Sequence, residues 1–217
     1  INLLAHNPVA PAGTRSEDAK ICFVTAFAFG DSAEESIDLL APITTSKLGK
    51  LSLHKEENLS FSYEGLYNKY FSLQVPAGMM ARYKVDNVMT DEPAKVLHDL
   101  ASHFRKAPSH HAHVLSAMGL NLKHHDDACF SSIATTYVGC YAIWDDEKDD
   151  EANFRWLGEC IPLMEPYNKG HYVNEVEPRF NPNRLRECFS SEAWTRLEQL
   201  REKYDPKSVF HHYLRDA

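Results

Sequence analysis

Apolar residues along this chain recur with two periods, and the switches between them set the predicted order of elements. Ile21 to Phe29 is apolar on nearly every position, short enough for a strand buried on both faces, and Gly30-Asp31 ends it. Ser32-Ala33-Glu34-Glu35 then reads as a capping box opening a helix over about 32–41, stopped by Pro42. Leu48 to Phe61 is polar and irregular, predicting loop with a short strand. Gly78 marks a turn, and Arg82 to Val88 alternates as a strand. Thr90-Asp91-Glu92-Pro93 opens a helix over 91–105, with Leu97, Leu100, Ala101 and Phe104 as its inner stripe. His110 to Leu120 and Ser131 to Trp144 are strands, the second with Val138 to Trp144 as a central apolar run. Phe154, Leu157, Ile161 and Met164 mark a helix over 150–165, distorted at Pro162. A last helix over 191–204 carries Trp194, Leu197 and Leu200 and ends at Asp205-Pro206.

Strands that neighbour each other between helices predict an α+β fold, an antiparallel sheet with helices on one face. Ile21–Phe29 and Val138–Trp144 are expected among its inner strands. A boundary is expected near 167–170, dividing residues 1–168 from 169–217. With 217 residues and 43% hydrophobic content the chain can bury a substantial core. A net charge of −8 with no cluster of Lys and Arg excludes a nucleic-acid or anionic-membrane surface. No apolar stretch approaches the roughly 20 residues that cross a bilayer, so a soluble chain is expected, with the cytoplasm as its default compartment. The five cysteines are widely spaced without a CxxC pair and read as buried thiols.

Twelve histidines include the run His110-His111-Ala112-His113, where His111 and His113 share a strand face. No acidic or Cys partner stands at ligand spacing, so no metal site is expected. The chain has no GxSxG, GxGxxG or Gly-rich phosphate loop. The odd stretch is Gly170-His171-Tyr172-Val173-Asn174-Glu175-Val176-Glu177-Pro178. It alternates like a strand yet commits an amide and a carboxylate to positions of poor β propensity.

GHYVNE, the helix AWTRLEQLREKYDP and the word KSVF follow one another as in the closing segment of the berberine bridge enzyme-like oxidases of the vanillyl-alcohol oxidase superfamily. FAFGDSAEESIDLLAPI, VPAGMMARYKVDNVM and YVGCYAIWDDEKDDEANFRWLGECIPLMEPY are weaker echoes, so nearly the whole chain resembles the substrate-side half of those enzymes. The resemblance implies a sheet of the ferredoxin-like, FAD-linked oxidase C-terminal kind. It implies a small-molecule substrate whose alcohol or similar carbon gives a hydride to FAD. The FAD would be held mainly by an N-terminal domain of the same protein, outside this chain, with 169–217 packing against it. Such a piece alone should be inactive.

In that family the strand bearing Tyr-x-Asn lies against the isoalloxazine ring. This implies that Tyr172 and Asn174 meet the flavin or substrate while Val173 and Val176 pack behind. In several members the residue after this triplet is a second tyrosine that acts as base; here it is Glu175. A carboxylate desolvated beside an apolar ring can take that role, with Tyr172 as its catalytic neighbour. The alternative is a free-standing α+β module that binds a small ligand or pairs with itself, without redox activity.

Overall fold

The computed structural model describes residues 2–4, 14–15, 18–74, 82–119, 123, 125 and 128–210. The predicted turn at Gly78 and four of the twelve histidines, His6, His124, His211 and His212, lie outside these residues. The chain forms two compact units, Ile1–Phe23 with Ala81–Ala217, and Val24–Met80.

The larger unit carries one antiparallel sheet in the order β2-β1-β4-β5-β3. Its strands are β1 (Asn2–Leu4), β2 (Ile21–Phe23), β3 (Arg82–Thr90), β4 (His113–Met118) and β5 (Thr136–Trp144). β5 is an inner strand, pairing on one side with β3 from Arg82↔Trp144 to Thr90↔Thr136 and on the other with β4 from His113↔Tyr141 to Met118↔Thr136. Helices α4 (Pro93–Phe104) and α5 (Asp150–Met164) cover one face. Their Val96, Leu100, Phe104, Trp156, Leu157, Cys160 and Met164 close a core over Val88, Val114, Val138, Cys140, Ala142 and Trp144. The α+β fold with its helix-covered face is therefore as the hydrophobic pattern predicts. Of the expected inner stripe of α4, Leu100 and Phe104 are buried and Leu97 packs half-buried against the core; Val96 joins them, while Ala101 is exposed. A short helix α6 (Asn183–Arg186) and the terminal helix α7 (Ser191–Tyr204) follow, α7 capped by the Ser190 hydroxyl.

The smaller unit holds α1 (Ala33–Thr44), α2 (Lys47–Leu51) and α3 (Tyr63–Gln74). Ser32 caps α1 by accepting from the Glu35 amide, and Glu35 Oε2 accepts from the Asp31 amide at 2.7 Å. Phe29 stacks on Tyr63 within this unit.

Several elements differ from the sequence pattern. The run Ile21–Phe29 is a strand only over Ile21–Phe23, at the edge of the sheet; Val24–Phe29 has no regular structure. An unbroken apolar run carries no register of its own, and here only its first three residues find a partner strand. Pro42 and Pro162 sit inside α1 and α5 in their last turns, where the helices continue two residues past them. The stretch expected to hold a short strand within 48–61 contains none; α2 runs into its start as far as Leu51, and α3 follows it.

Residues 172–176 are not a strand either. Val173–Glu175 is a single 3-10 turn, and its surroundings show why. Just before it, the Lys169 amide donates to the Met89 carbonyl at 2.8 Å and the Met89 amide to the Gly170 carbonyl at 2.7 Å, so the chain touches the outer edge of β3 for one exchange. It then folds over the strand instead of running along it.

Candidate active site

The face of the sheet away from α4 and α5 is built from the odd-numbered residues of β3, β4 and β5. Along β5 these are Tyr137, Gly139 and Tyr141, while Val138, Cys140 and Ala142 enter the core. The glycine between the two tyrosines has a steric reason. A Cβ at position 139 would land on the Tyr137 hydroxyl and sit 2.9 Å from the Tyr141 ring. With hydrogen there, the two phenols lean together over the backbone, their oxygens 3.0 Å apart.

Asn87 of β3 lies directly across from Gly139 and is fully buried. Its Nδ2 donates to the carbonyls of Tyr172 at 3.0 Å and Glu175 at 2.9 Å, and its Oδ1 accepts from the Tyr172 amide at 2.8 Å. One side chain thus supplies the bonds that a neighbouring strand would have supplied, and it fastens both ends of the Tyr172–Glu175 turn over Gly139. The Glu175 carboxylate is carried between the two phenols. Its Oε2 accepts from Tyr141 at 2.9 Å and forms a short hydrogen bond with Tyr137.

Aromatic groups surround this cluster. The His113 ring stacks on Tyr141 with centroids 4.7 Å apart, and Tyr83 lies 6.2 Å from Tyr141 on its other side. Tyr172 packs edge-on against Tyr137 and Phe130. Burial, followed by the charge of Glu175, raises the Tyr83 phenol. Burial likewise raises Tyr137 and Tyr141, with Glu175 adding to it, so both phenols keep their protons at neutral pH. Burial lowers the His113 imidazole, against the opposing pull of the His111 carbonyl and Glu175.

On the other side of β3 a buried polar network holds the start of the same segment. Arg184, 2% exposed, donates to Asp86 at 2.5 Å, to the Asn87 carbonyl at 3.1 Å and to Glu165. Asp86 also accepts from the Glu177 amide at 3.1 Å. Burial pushes the Asp86 carboxyl up despite the Arg184 charge beside it. The Nδ1 of buried His171 meets the Asn87 carbonyl at 2.7 Å, and its amide donates to Ser132 Oγ at 3.1 Å. Gly170 has φ +135°, and a Cβ there would overlap the Ser132 side chain, so only glycine allows this approach. Glu165, His171 and Glu187 bring three potential metal-ligand atoms within 4.8 Å of one another. Arg184 and the Asn168 amide, which donates to Glu165 Oε1 at 3.1 Å, already bind within that group. It is a hydrogen-bonded network that anchors the turn.

The residues predicted from sequence fall close together. Glu175 is half-buried on the tyrosine face, and Tyr172 and Asn174 are exposed beside it. The Asn174 amide donates to the Tyr172 hydroxyl at 3.0 Å. Val173 and Val176 are half-buried. His111 and His113 do not converge: His113 stacks on Tyr141, whereas His111 Nε2 lies 3.5 Å from Asp145. Tyr137, Tyr141 and Asn87 were not foreseen. The signal for the tyrosines was present in Tyr-Val-Gly-Cys-Tyr, where period-two reading places Tyr, Gly and Tyr on one face. Nothing local marks Asn87, whose partners lie 85 and 88 residues away.

No family model and no curated protein matches the sequence. Solved structures do share its fold. A variant of berberine bridge enzyme matches over 86% of this chain and 43% of its own, with a TM-score of 0.63 at 17% identity. BBE-like 1 from Physcomitrella patens matches over 79% and 40%, with a TM-score of 0.61 at 13% identity. CrmK, a flavoenzyme involved in shunt product recycling in caerulomycin biosynthesis, matches over 64% and 33%, with a TM-score of 0.54 at 18% identity. The fold is thus one found in berberine bridge enzyme-like flavoenzymes, and this chain spans less than half the length of each. Among the described residues no helix is long and apolar enough to cross a membrane.

Proposed function

We propose that this chain is the substrate-binding part of an FAD-dependent oxidoreductase, and that the FAD is held mainly by a domain of the same protein that precedes Ile1. Residues 169–217 are the segment that packs against that domain. The flavin would accept a hydride from an alcohol or similar carbon of a small-molecule substrate. This chain positions the substrate on the tyrosine face, and Glu175 receives the proton that leaves with the hydride. The observation that carries this reading is the Glu175 carboxylate, fastened by Asn87 and presented between two protonated phenols on the sheet face opposite α4 and α5. Exposed Tyr172 and Asn174 suit contact with the edge of a planar ring. The Tyr172 oxygen already accepts from Asn174, so its own proton is free to bond a substrate or ring atom. The likeness of fold to solved flavoenzymes supports the same reading.

The test uses the full-length protein purified with its cofactor. Glu175→Gln keeps size and polarity but removes the proton acceptor, so flavin reduction in stopped flow should slow on the order of a hundredfold or more, with normal flavin loading. Tyr172→Phe and Asn174→Ala should instead alter the flavin spectrum, its potential or substrate affinity. A full-length protein without flavin, or a Glu175→Gln variant reduced at the wild-type rate, overturns the reading.

A further inference from the structure

We propose that Glu175, Tyr137 and Tyr141 act as one proton-holding unit, in which three mutually touching oxygens carry two protons at rest and close into a ring of three hydrogen bonds on taking up a third. The proposal rests on the role given to Glu175 above and adds where the proton is kept.

The argument is a count of donors along three contacts. Glu175 Oε2 touches both phenol oxygens, and the phenol oxygens touch each other at 3.0 Å. An ionised carboxylate only accepts, and each phenol has one proton to give. With Glu175 ionised, both phenol protons point at Oε2. The contact between Tyr137 and Tyr141 then holds two oxygens with no proton between them.

One added proton removes that mismatch without moving a heavy atom. Glu175 Oε2 donates to Tyr137, Tyr137 donates to Tyr141, and Tyr141 donates to Oε2, so each oxygen gives one bond and receives one. The fold enforces the triangle from three directions. Gly139 leaves room for the phenols to meet, Asn87 fixes the turn that bears Glu175, and the His113 ring backs Tyr141. The other titratable groups facing the unit are Tyr83 from β3, His113 from β4 and Tyr172 from the turn. Lys84 and Arg179 are engaged by Glu177, Lys84 at 2.7 Å and Arg179 at 2.9 Å.

In the reaction, the substrate O–H bond breaks and its proton passes to Glu175. A flavin bound by the full-length protein would supply the oxidation, taking the hydride and its two electrons from the C–H carbon, and the electron pair left on the substrate oxygen would form the carbonyl. The unit gains one proton and no electrons. It returns that proton to solvent before the next turnover.

Infrared difference spectroscopy of the full-length protein across an acid titration tests this without relying on turnover. Uptake of the third proton changes both phenols from donor only to donor and acceptor. The protonated-carboxyl band of Glu175 should therefore rise together with shifts in tyrosine C–O bands. Glu175→Gln should abolish both signals, and Tyr137→Phe or Tyr141→Phe should each remove part of the tyrosine signal. In stopped flow each Phe variant should slow flavin reduction on the order of tenfold, and the double variant little more than either alone, because the residues act as a unit.

A carboxyl band that titrates with no tyrosine change overturns the unit, as do tyrosine changes that persist in Glu175→Gln. If the coupled bands are absent while Glu175→Gln still slows reduction, the proposed function stands and this inference falls. If the coupled bands appear while Glu175→Gln reduces normally, the unit exists and the proposed function falls.

Discussion

The two faces of β5 come from the same nine residues and are made of different chemistry. Val138, Cys140, Ala142 and Trp144 look toward α4 and α5 and vanish into a close-packed core. Tyr137, Gly139 and Tyr141 look the other way and hold a carboxylate brought in from residue 175. Read residue by residue the strand is uniformly apolar; read at every second position it is a core wall and a polar site set back to back. The core face is stable through volume and contact, the site face through hydrogen bonds whose partners are far apart in sequence. Damage to each should therefore differ in kind.

The largest effect should come from the core face. Leu157→Ala empties a fully buried position in the core that also holds Val138 and Cys140, and should cost about 4 kcal/mol in urea unfolding. The native protein that remains should keep the infrared signature of the site face, since no hydrogen bond of the cluster passes through Leu157. Loss of that signature would show the two faces to be coupled. Asn87→Ala is the reverse case. It strands the amide and carbonyl of Tyr172 and the Glu175 carbonyl at a place water can partly reach, so stability should fall by only about 2 kcal/mol. Glu175 should nevertheless lose its place between the phenols, and amide exchange of residues 172–175 should accelerate far more than that of β5. Equal acceleration in both would mean that Asn87 serves the sheet as a whole.

The smallest effect concerns His113, which belongs to the site face by stacking alone. Its folded-state proton affinity is lowered by burial, so as pH falls the unfolded chain is protonated first. The contribution of His113 is complete above pH ~6.5 and declines as pH falls through that value toward its folded pKa. His113→Phe keeps the stacking surface and should flatten the decline by a fraction of a kcal/mol, read from urea midpoints on either side of pH ~6.5. Identical slopes in the two proteins would show that His113 is solvated in the native state.

The features legible in the sequence were those set by local periodicity. The terminal helix 191–204 and the helix behind Asp145–Glu151 were found because apolar residues recur at helical spacing, Trp194, Leu197 and Leu200 in one and Phe154, Leu157, Ile161 and Met164 in the other; the strand at Arg82 was found from its alternation, although Val85 to Thr90 are buried on both faces. The stretch at 172–176 misled because its alternation is genuine while its hydrogen-bond partner is a side chain, which period-two reading does not register. Ile21–Phe29 misled for the opposite reason, since composition favoured a strand for longer than a partner was there to pair with it. In the site, Glu175 was recognisable as a carboxylate out of place. Asn87 was not, because an amide inside the run Lys84 to Val88 looks the same whether it faces water or fastens a turn.

The single exchange between Met89 and residues 169–170 has a bearing on self-association. β3 is the last strand of the sheet, nine residues long, and an open strand of that length invites another chain to add to it. The segment from Lys169 to Glu177 leaves little of that row accessible, touching it once through the backbone and then crossing it with side-chain bonds to Asp86 and Asn87. A chain cut after Asn168 would lose the guard as well as the site, and its strand would become a template for fibrous growth.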